Sequence, residues 1–258
     1  MLFVFFPQYK LNKICSINAK LFCMFLSIKL HTFNHIWAKL MNPEKDFSIK
    51  YFIGGYDKNI TYLINSCNSK SQIIVDASVN INLLLPHIKD EPNAILITHT
   101  HKDHINYIDQ YIELFPRLTI IGHPDSNFIS KKNKKVNHQE VIKIGDLKII
   151  ALHTPGHYFD SICYILKPVI FTGDTLFVGR TGRVISKKSS INDLYDSIYN
   201  KILLLPKNTR IYPGHNYGKQ ITIQIKNNVK ISPLLQAKNI DDFINIMNNY
   251  EINRKTKI

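Results

Sequence analysis

The chain of 258 residues is short of cysteine and of acid. Its four cysteines, Cys15, Cys23, Cys67 and Cys163, have no C-x-x-C spacing and form no dense pattern. That argues against a disulfide scaffold and fits a reducing, cytoplasm-like compartment. Cys163 lies in an apolar run and reads as a small core residue. Asp and Glu number 19 against 33 Lys and Arg, a net charge of +14 with histidine neutral. The lysines are scattered, and Asn and Ile are abundant beside them, so the charge reads as compositional drift and not as a nucleic-acid patch. Its remaining use is to draw in a small anionic substrate. No apolar run reaches the length of a membrane span, because residues 2–7 and 21–28 are bounded by Lys, Asn and Gln; no integral membrane span is expected. There is no G-x-S-x-G and no repeat at solenoid spacing. No feature sets an oligomeric state. What is present is a 45% share of hydrophobic residues, enough for a sizeable core.

Residues 1–40 differ from the rest: apolar, aromatic, basic and almost free of acid. They read either as an organelle-type leader or as sequence upstream of a start at Met41-Asn42-Pro43. A basic, acid-poor composition favours the leader; the lack of Arg and Ser richness favours the other. Residues 41–258 are expected to form one domain ending in a short helical tail.

From Phe47 the pattern is regular. Strands are predicted over 49–54, 60–64 and 72–75, the last ending in Asp76. A short helix is predicted over 81–88, a strand over 94–97 and a helix over 105–115. Further strands follow at 118–122, 141–144, 147–152, 161–166, 169–172 and 210–212, with helices at 191–205 and 240–250. Strands lead as a meander, and a strand–helix alternation then recurs. That order implies an α/β protein built as a four-layer αββα sandwich.

The densest chemical signal is His99-Thr100-His101-Lys102-Asp103-His104, directly after the apolar run Ala94-Ile95-Leu96-Ile97. Imidazole and carboxylate are the ligands zinc and iron accept. Unpaired at the edge of a core, so many polar groups would be costly to desolvate. Three further segments repeat one arrangement of apolar strand, small turn residue and metal-type ligand. They are Thr154-Pro155-Gly156-His157, Phe171-Thr172-Gly173-Asp174 and Tyr212-Pro213-Gly214-His215. Singly each is weak, since a His or Asp after a strand is commonly a cap. Together they place ligands on loops at one sheet edge, where sites are usually built.

In these motifs, over residues 47–250, the chain resembles the metallo-β-lactamase superfamily. Thr172-Gly173-Asp174-Thr175-Leu176-Phe177 and Tyr212-Pro213-Gly214-His215-Asn216-Tyr217 are similar to segments of its glyoxalase II and persulfide dioxygenase branches. The resemblance implies two divalent cations, zinc foremost, with iron or manganese as alternatives. His99, His101 and His157 would hold one, Asp103, His104 and His215 the other, and Asp174 would bridge them. Asp76 would orient a ligand or a loop from behind, or else simply cap its strand.

The activity implied is hydrolysis of a small anionic thioester of the hydroxyacylglutathione type. Two close cations would make hydroxide available from a shared water, and Asp103 or Asp174 would accept or steer its proton. A carboxylate-bearing substrate calls for a cationic anchor. Arg180 and Arg183, with Lys187 and Lys188 after them, read as such a clamp or as a solvated basic loop. Tyr217 lines the pocket or packs beside it. The competing activity is a persulfide dioxygenase with one iron on His99, His157 and Asp174. The run 241–249 resembles the tail of that branch, but its G-R-T-D-F motif is departed from at Val184-Ile185, which follow Gly182-Arg183. A nuclease is the third reading. The basic run 131–135 is short and lacks aromatic residues, so it reads as a solvated turn and nucleic acid is not the expected partner.

Overall fold

The computed structural model describes residues 46–126 and 133–255. The leader and alternative-start readings of residues 1–40 lie outside the described residues.

Two six-stranded sheets carry the fold. In the first, β1 (Phe47–Gly54), β2 (Asn59–Ser66) and β3 (Gln72–Val75) form an antiparallel meander. β4 (Ala94–Leu96), β5 (Thr119–Gly122) and β6 (Asn133–Lys135) then add in parallel. In the second, β7 (Val141–Ile144), β8 (Leu147–His153), β9 (Ile162–Leu166) and β10 (Val169–Gly173) run antiparallel. β11 (Arg210–Pro213) pairs parallel with β10, and β12 (Ile223–Gln224) closes the edge.

Side-chain alternation explains why the sheets stack. Ile60, Tyr62 and Ile64 of β2 meet Ile149, Ala151, Tyr164 and Phe171 of the opposite sheet in one buried cluster. The intervening Leu63 faces the other way, into a second cluster with Ile74, Ile95, Ile120 and Tyr111. Tyr111 belongs to α1 (Ile108–Leu114), which covers that outer face and donates its hydroxyl to Val79 O at 2.9 Å. A strand buried on both faces reads as a continuous apolar run, which is why β2, β3 and β4 carry so many Ile, Leu and Val. Beyond β10 lie α2 (Ile191–Ser197), α3 (Ile225–Ile231) and α4 (Ile240–Lys255). Phe243 of α4 packs on Tyr195 and Tyr199. The architecture is the αββα sandwich the element order implies. Among the described residues, no helix is long and apolar enough to cross a membrane.

Some boundaries differ from expectation. The helix predicted over 81–88 is two 3₁₀ turns, Ile81–Leu83 and Leu85–His87, because Pro86 has no N–H to continue a ladder. The helix predicted from 105 begins at Ile108: Ile105, closing the 3₁₀ turn 102–104, and Tyr107, whose N–H is given to Ala77 O at 3.0 Å, have non-helical φ/ψ of −121°/12° and −110°/13°. The helix predicted over 191–205 ends its α-turns at Ser197 and continues as a π-turn, Ile198–Ile202. Its start is set by Ser190, whose hydroxyl accepts from Asp193 N at 3.2 Å. β12 and α3 were not expected, being too short to show a period. Of the basic run 131–135, Asn133–Lys135 is an exposed edge strand.

Candidate metal centre

All four ligand-bearing motifs leave the carboxyl ends of strands. Ile97 continues β4, held by its N–H on Ile121 O at 2.8 Å, and delivers Thr98 and His99. The 3₁₀ turn Lys102–His104 presents Asp103 and His104. The loop after β8 brings His157. β10 and β11 run parallel, so Asp174 and His215 emerge side by side, and Gly214 N donates to Gly173 O at 2.8 Å. Glycine is required at both turns. Gly173 has φ +46° and a Cβ there would meet Thr98 at 2.6 Å; at Gly214 it would meet Asp174 Oδ1 at 2.5 Å. Gly214→Ala is therefore expected to lose at least one bound cation while the sandwich still folds, checked by metal content beside circular dichroism.

The predicted ligands converge. His99 Nε2 and His157 Nε2 lie 2.9 and 3.0 Å from His101 Nδ1. His215 Nε2 lies 3.3 Å from both His104 Nε2 and Asp103 Oδ2. Asp174 stands between the two groups, its Oδ1 3.2 Å from His104 Nε2 and its Oδ2 3.6 Å from His157 Nε2 and 3.4 Å from His215 Nε2. Within each triad the potential ligand atoms fall inside 4.8 Å of one another. Asp174 Oδ1 is buried and makes no hydrogen bond despite the nearby imidazole; distance without alignment is not a bond.

The outward nitrogens are tied down. His104 Nδ1 pairs with Asp76 Oδ2 at 2.9 Å, His157 Nδ1 donates to Arg183 O at 2.8 Å and His215 Nδ1 to Asp57 O at 2.9 Å. Thr98 Oγ1 gives its proton to Asp76 Oδ2 at 2.8 Å and so accepts from His99 Nδ1 at 3.2 Å. These bonds direct each Nε2 lone pair inward, the outer-shell design of imidazole–metal sites. Inward-facing lone pairs and a buried carboxylate oxygen without a partner fit a pair of divalent cations.

The electrostatics follow. Burial pushes His99 well below the usual imidazole range and His101 down to about 4. Burial also opposes the charge on Asp174, but the His104 and His215 charges overcome it and hold the carboxyl well below its usual range. For His215, burial is outweighed by Asp174 and Asp103, which raise it to about 9. A cation must displace that proton. His104 too is held well above its usual range, its burial outweighed by Asp174 and Asp76, so apparent affinity is expected to rise by about tenfold or more per pH unit between pH 7 and 8.5, with about one to two protons released per protein. Calorimetry in buffers of different ionisation enthalpy measures the release; a pH-independent affinity would contradict it.

A cleft of about 240 Å³ opens onto the site, walled by Tyr56, Asp57, Arg183, Ile185, Ser186 and Tyr217 besides the ligands. The basic loop divides. Arg183 lines the cleft, whereas Arg180 stacks behind Tyr217, its guanidinium carbon 3.6 Å from the ring centroid. Tyr217 in turn stacks on His215 at 4.9 Å and donates its hydroxyl to Asp57 Oδ2 at 2.5 Å. Lys187 is exposed, and Lys188 Nζ sits 4.5 Å from the Phe159 ring. Asp76 receives Thr98 N and Oγ1, both at 2.8 Å, besides His104. Sequence reasoning missed Asn59, Thr98, the Asp57 carbonyl and Tyr158, whose ring lies 4.1 Å from His101. Nothing in their residue types or spacing marks them, since each acts through a contact distant in sequence or through its backbone.

Residues 61–215 match the family model of the metallo-beta-lactamase superfamily. A hydroxyacylglutathione hydrolase of Buchnera aphidicola (subsp. Schizaphis graminum) is 39% identical over 149 residues, 57% of this chain and 58% of that relative. The chain thus spans just over half of that protein's length. A Bacillus subtilis protein described as a probable polyketide biosynthesis zinc-dependent hydrolase is 30% identical over 174 residues, 65% of this chain and 77% of that one. Among solved structures, ETHE1 from Myxococcus xanthus superposes with a TM-score of 0.71 and 28% identity, over 79% of this chain and 91% of its own. The family match takes in every one of the converging ligands, from His99 to His215, and by it this chain belongs to the metallo-beta-lactamase superfamily.

Proposed function

We propose that the chain is a metal-dependent hydrolase of a glutathione-type thioester, working with two zinc ions. The observation that carries this reading is the pair of ligand triads joined by Asp174, whose buried Oδ1 has no hydrogen bond. The hydroxyacylglutathione hydrolase relative supports the substrate class, and the zinc-dependent hydrolase relative supports the metal.

Bound there, the cations supply Lewis acidity and a water whose pKa is brought toward neutrality. The protein's own groups do the rest. His99, His101 and His157 would hold one position; Asp103, His104 and His215 would hold the other. Asp174 would serve both and, with Asp103, would take up a proton given up by water at the site. Arg183 on the cleft wall pairs with a substrate carboxylate, and Tyr217 lines the same cleft. Arg180 contributes by bracing Tyr217. No side-chain nucleophile is required. Cys163 is buried, and burial lifts its thiol to about 11, so it is not a competitor for the carbonyl carbon. A departing thiolate needs little general-acid help.

The ETHE1 neighbour favours one second reading, a mononuclear iron dioxygenase on His99, His157 and Asp174. One experiment separates the two. The purified protein is assayed for metal content, for cleavage of a hydroxyacylglutathione thioester and for oxygen uptake with glutathione persulfide. Thioester turnover abolished by chelation and restored by zinc is the expected result. Oxygen consumption with iron bound and no thioester cleavage would overturn the hydrolase.

A further inference from the structure

Asn59 opens β2 and is fully buried, although it is polar and nothing in the sequence marks it. Its backbone is clamped to the loop that carries His215. Asn59 forms an isolated antiparallel bridge with His215, flanked by Ile60 N on Gly214 O at 2.8 Å and Asn216 N on Lys58 O at 3.0 Å. The side chain of Asn59 is thus aimed from the first sheet into the site formed at the end of the second. Its Nδ2 lies 3.1 Å from Asp103 Oδ2 and 3.2 Å from His215 Nε2. Its Oδ1 is buried without a hydrogen-bond partner. A half-satisfied amide in a core is a cost that calls for a reason.

The reason is in what surrounds Asp103. Its other close polar neighbours are imidazoles, His215 Nε2 at 3.3 Å and His104 Nε2 at 3.8 Å. Both rings already spend their Nδ1 protons elsewhere, His104 on Asp76 and His215 on the Asp57 carbonyl. Once their Nε2 lone pairs serve a cation, neither ring can donate to Asp103. Among the described residues the Asn59 amide is then the side chain that still can. None of the hydrogen bonds of Asn59 reaches His99, His101 or His157.

We propose that Asn59 is a positioning residue for one of the two cation positions, holding Asp103 in the Asp103–His104–His215 triad while leaving the His99–His101–His157 triad untouched. The inference rests on the dimetal reading above. It assigns Asn59 no contact with substrate. Its consequence is a split in affinity between two ions that share a bridging carboxylate.

The test is titration of the metal-free full-length protein with cobalt(II) alone, read by visible absorption and by calorimetry, in the wild type, Asn59→Ala and Asn59→Leu. The leucine is close to isosteric and removes the donor without adding charge, so it reports even if the alanine variant folds poorly; near-UV circular dichroism checks both. The wild type is expected to take up two ions. In each variant one of the two binding events should lose about 10- to 100-fold in affinity, as outer-shell partners of metal ligands typically do, with the other ion's affinity within about twofold. Two ions bound with wild-type affinities in a folded variant, or equal weakening of both, would overturn the role of Asn59. A wild-type protein that binds fewer than two ions would instead overturn the dimetal reading itself. Both outcomes are read from binding alone, without turnover.

Discussion

Asp174→Ala is expected to lower metal-dependent turnover by about 10³-fold or more, in line with the loss of a charge-stabilising group at the centre of a reaction. The carboxylate has contacts with both halves of the site: His104 and His215 on one side, His157 on the other. Its removal leaves the His99–His101–His157 and Asp103–His104–His215 triads facing one another without the carboxylate between them, and Asp103 as the single anionic ligand for two cations. Metal content should fall with activity, and far-UV circular dichroism should remain that of the sandwich, since Asp174 follows β10 and takes no part in the strand's ladder. Asp174→Asn separates charge from shape. It keeps the volume and one acceptor oxygen, so if charge is what matters it should lose metal nearly as completely. His99→Ala should resemble Asp174→Ala. Wild-type turnover in either alanine variant would remove the basis for the site.

Asp76→Ala should have the larger effect on folding. Asp76 is buried and accepts from Thr98 N, Thr98 Oγ1 and His104 Nδ1, at 2.8 to 2.9 Å. Truncation leaves these donors without their partner in a core that excludes water. Breaking such a buried charged network costs about 3–5 kcal/mol, a fall in melting temperature of about 10 °C for a domain of this size. The backbone adds to the cost: Asp76 has φ +60°, a left-handed conformation that Asp and Asn tolerate better than alanine. Asp76→Asn keeps that conformation and most of the shape. It should melt nearer the wild type yet bind metal about 10- to 100-fold more weakly, because His104 and, through Thr98, His99 lose the anion that fixes their tautomers. Differential scanning calorimetry of the metal-free proteins and zinc titration read the two effects separately. A wild-type melting temperature for Asp76→Ala would reduce Asp76 to a strand-end cap.

Residues differ in how far sequence betrays them, and the range of their contacts sets the difference. His99, His101, Asp103 and His104 are close in sequence, so their shared site is legible from spacing. His157, Asp174 and His215 are legible because each repeats an apolar strand followed by a small residue and a ligand. The strand, a parallel neighbour and a glycine turn are local facts, and local facts survive in sequence. The layering followed in the same way, from the order of short β-branched runs and longer periodic ones. The N-terminal edge of α1 was not legible, because apolar periodicity ran through Ile105 and Tyr107, whose backbones are non-helical and whose course is set by the preceding 3₁₀ turn and by the bond of Tyr107 N to Ala77 O. The split of the basic loop was not legible either. Arg180 and Arg183 are three positions apart and equally cationic, and only the packing puts one on the cleft wall and the other behind an aromatic ring.

By itself, then, the sequence determined the candidate ligands and the sandwich, because ligand type and strand pattern are properties of adjacent residues; their grouping about two cations and the sense of the chemistry it carried only through the family resemblance. Which nitrogen of each ring faces inward, and which groups hold it there, only the tertiary structure decided. Thr98, Asp57 and Asn59 act through a hydroxyl already spent on Asp76, a backbone carbonyl and an amide pinned between sheets. The physical reason is reach: a hydrogen bond is made across a few ångströms of space, and the Asn59–His215 contact spans 156 positions of chain.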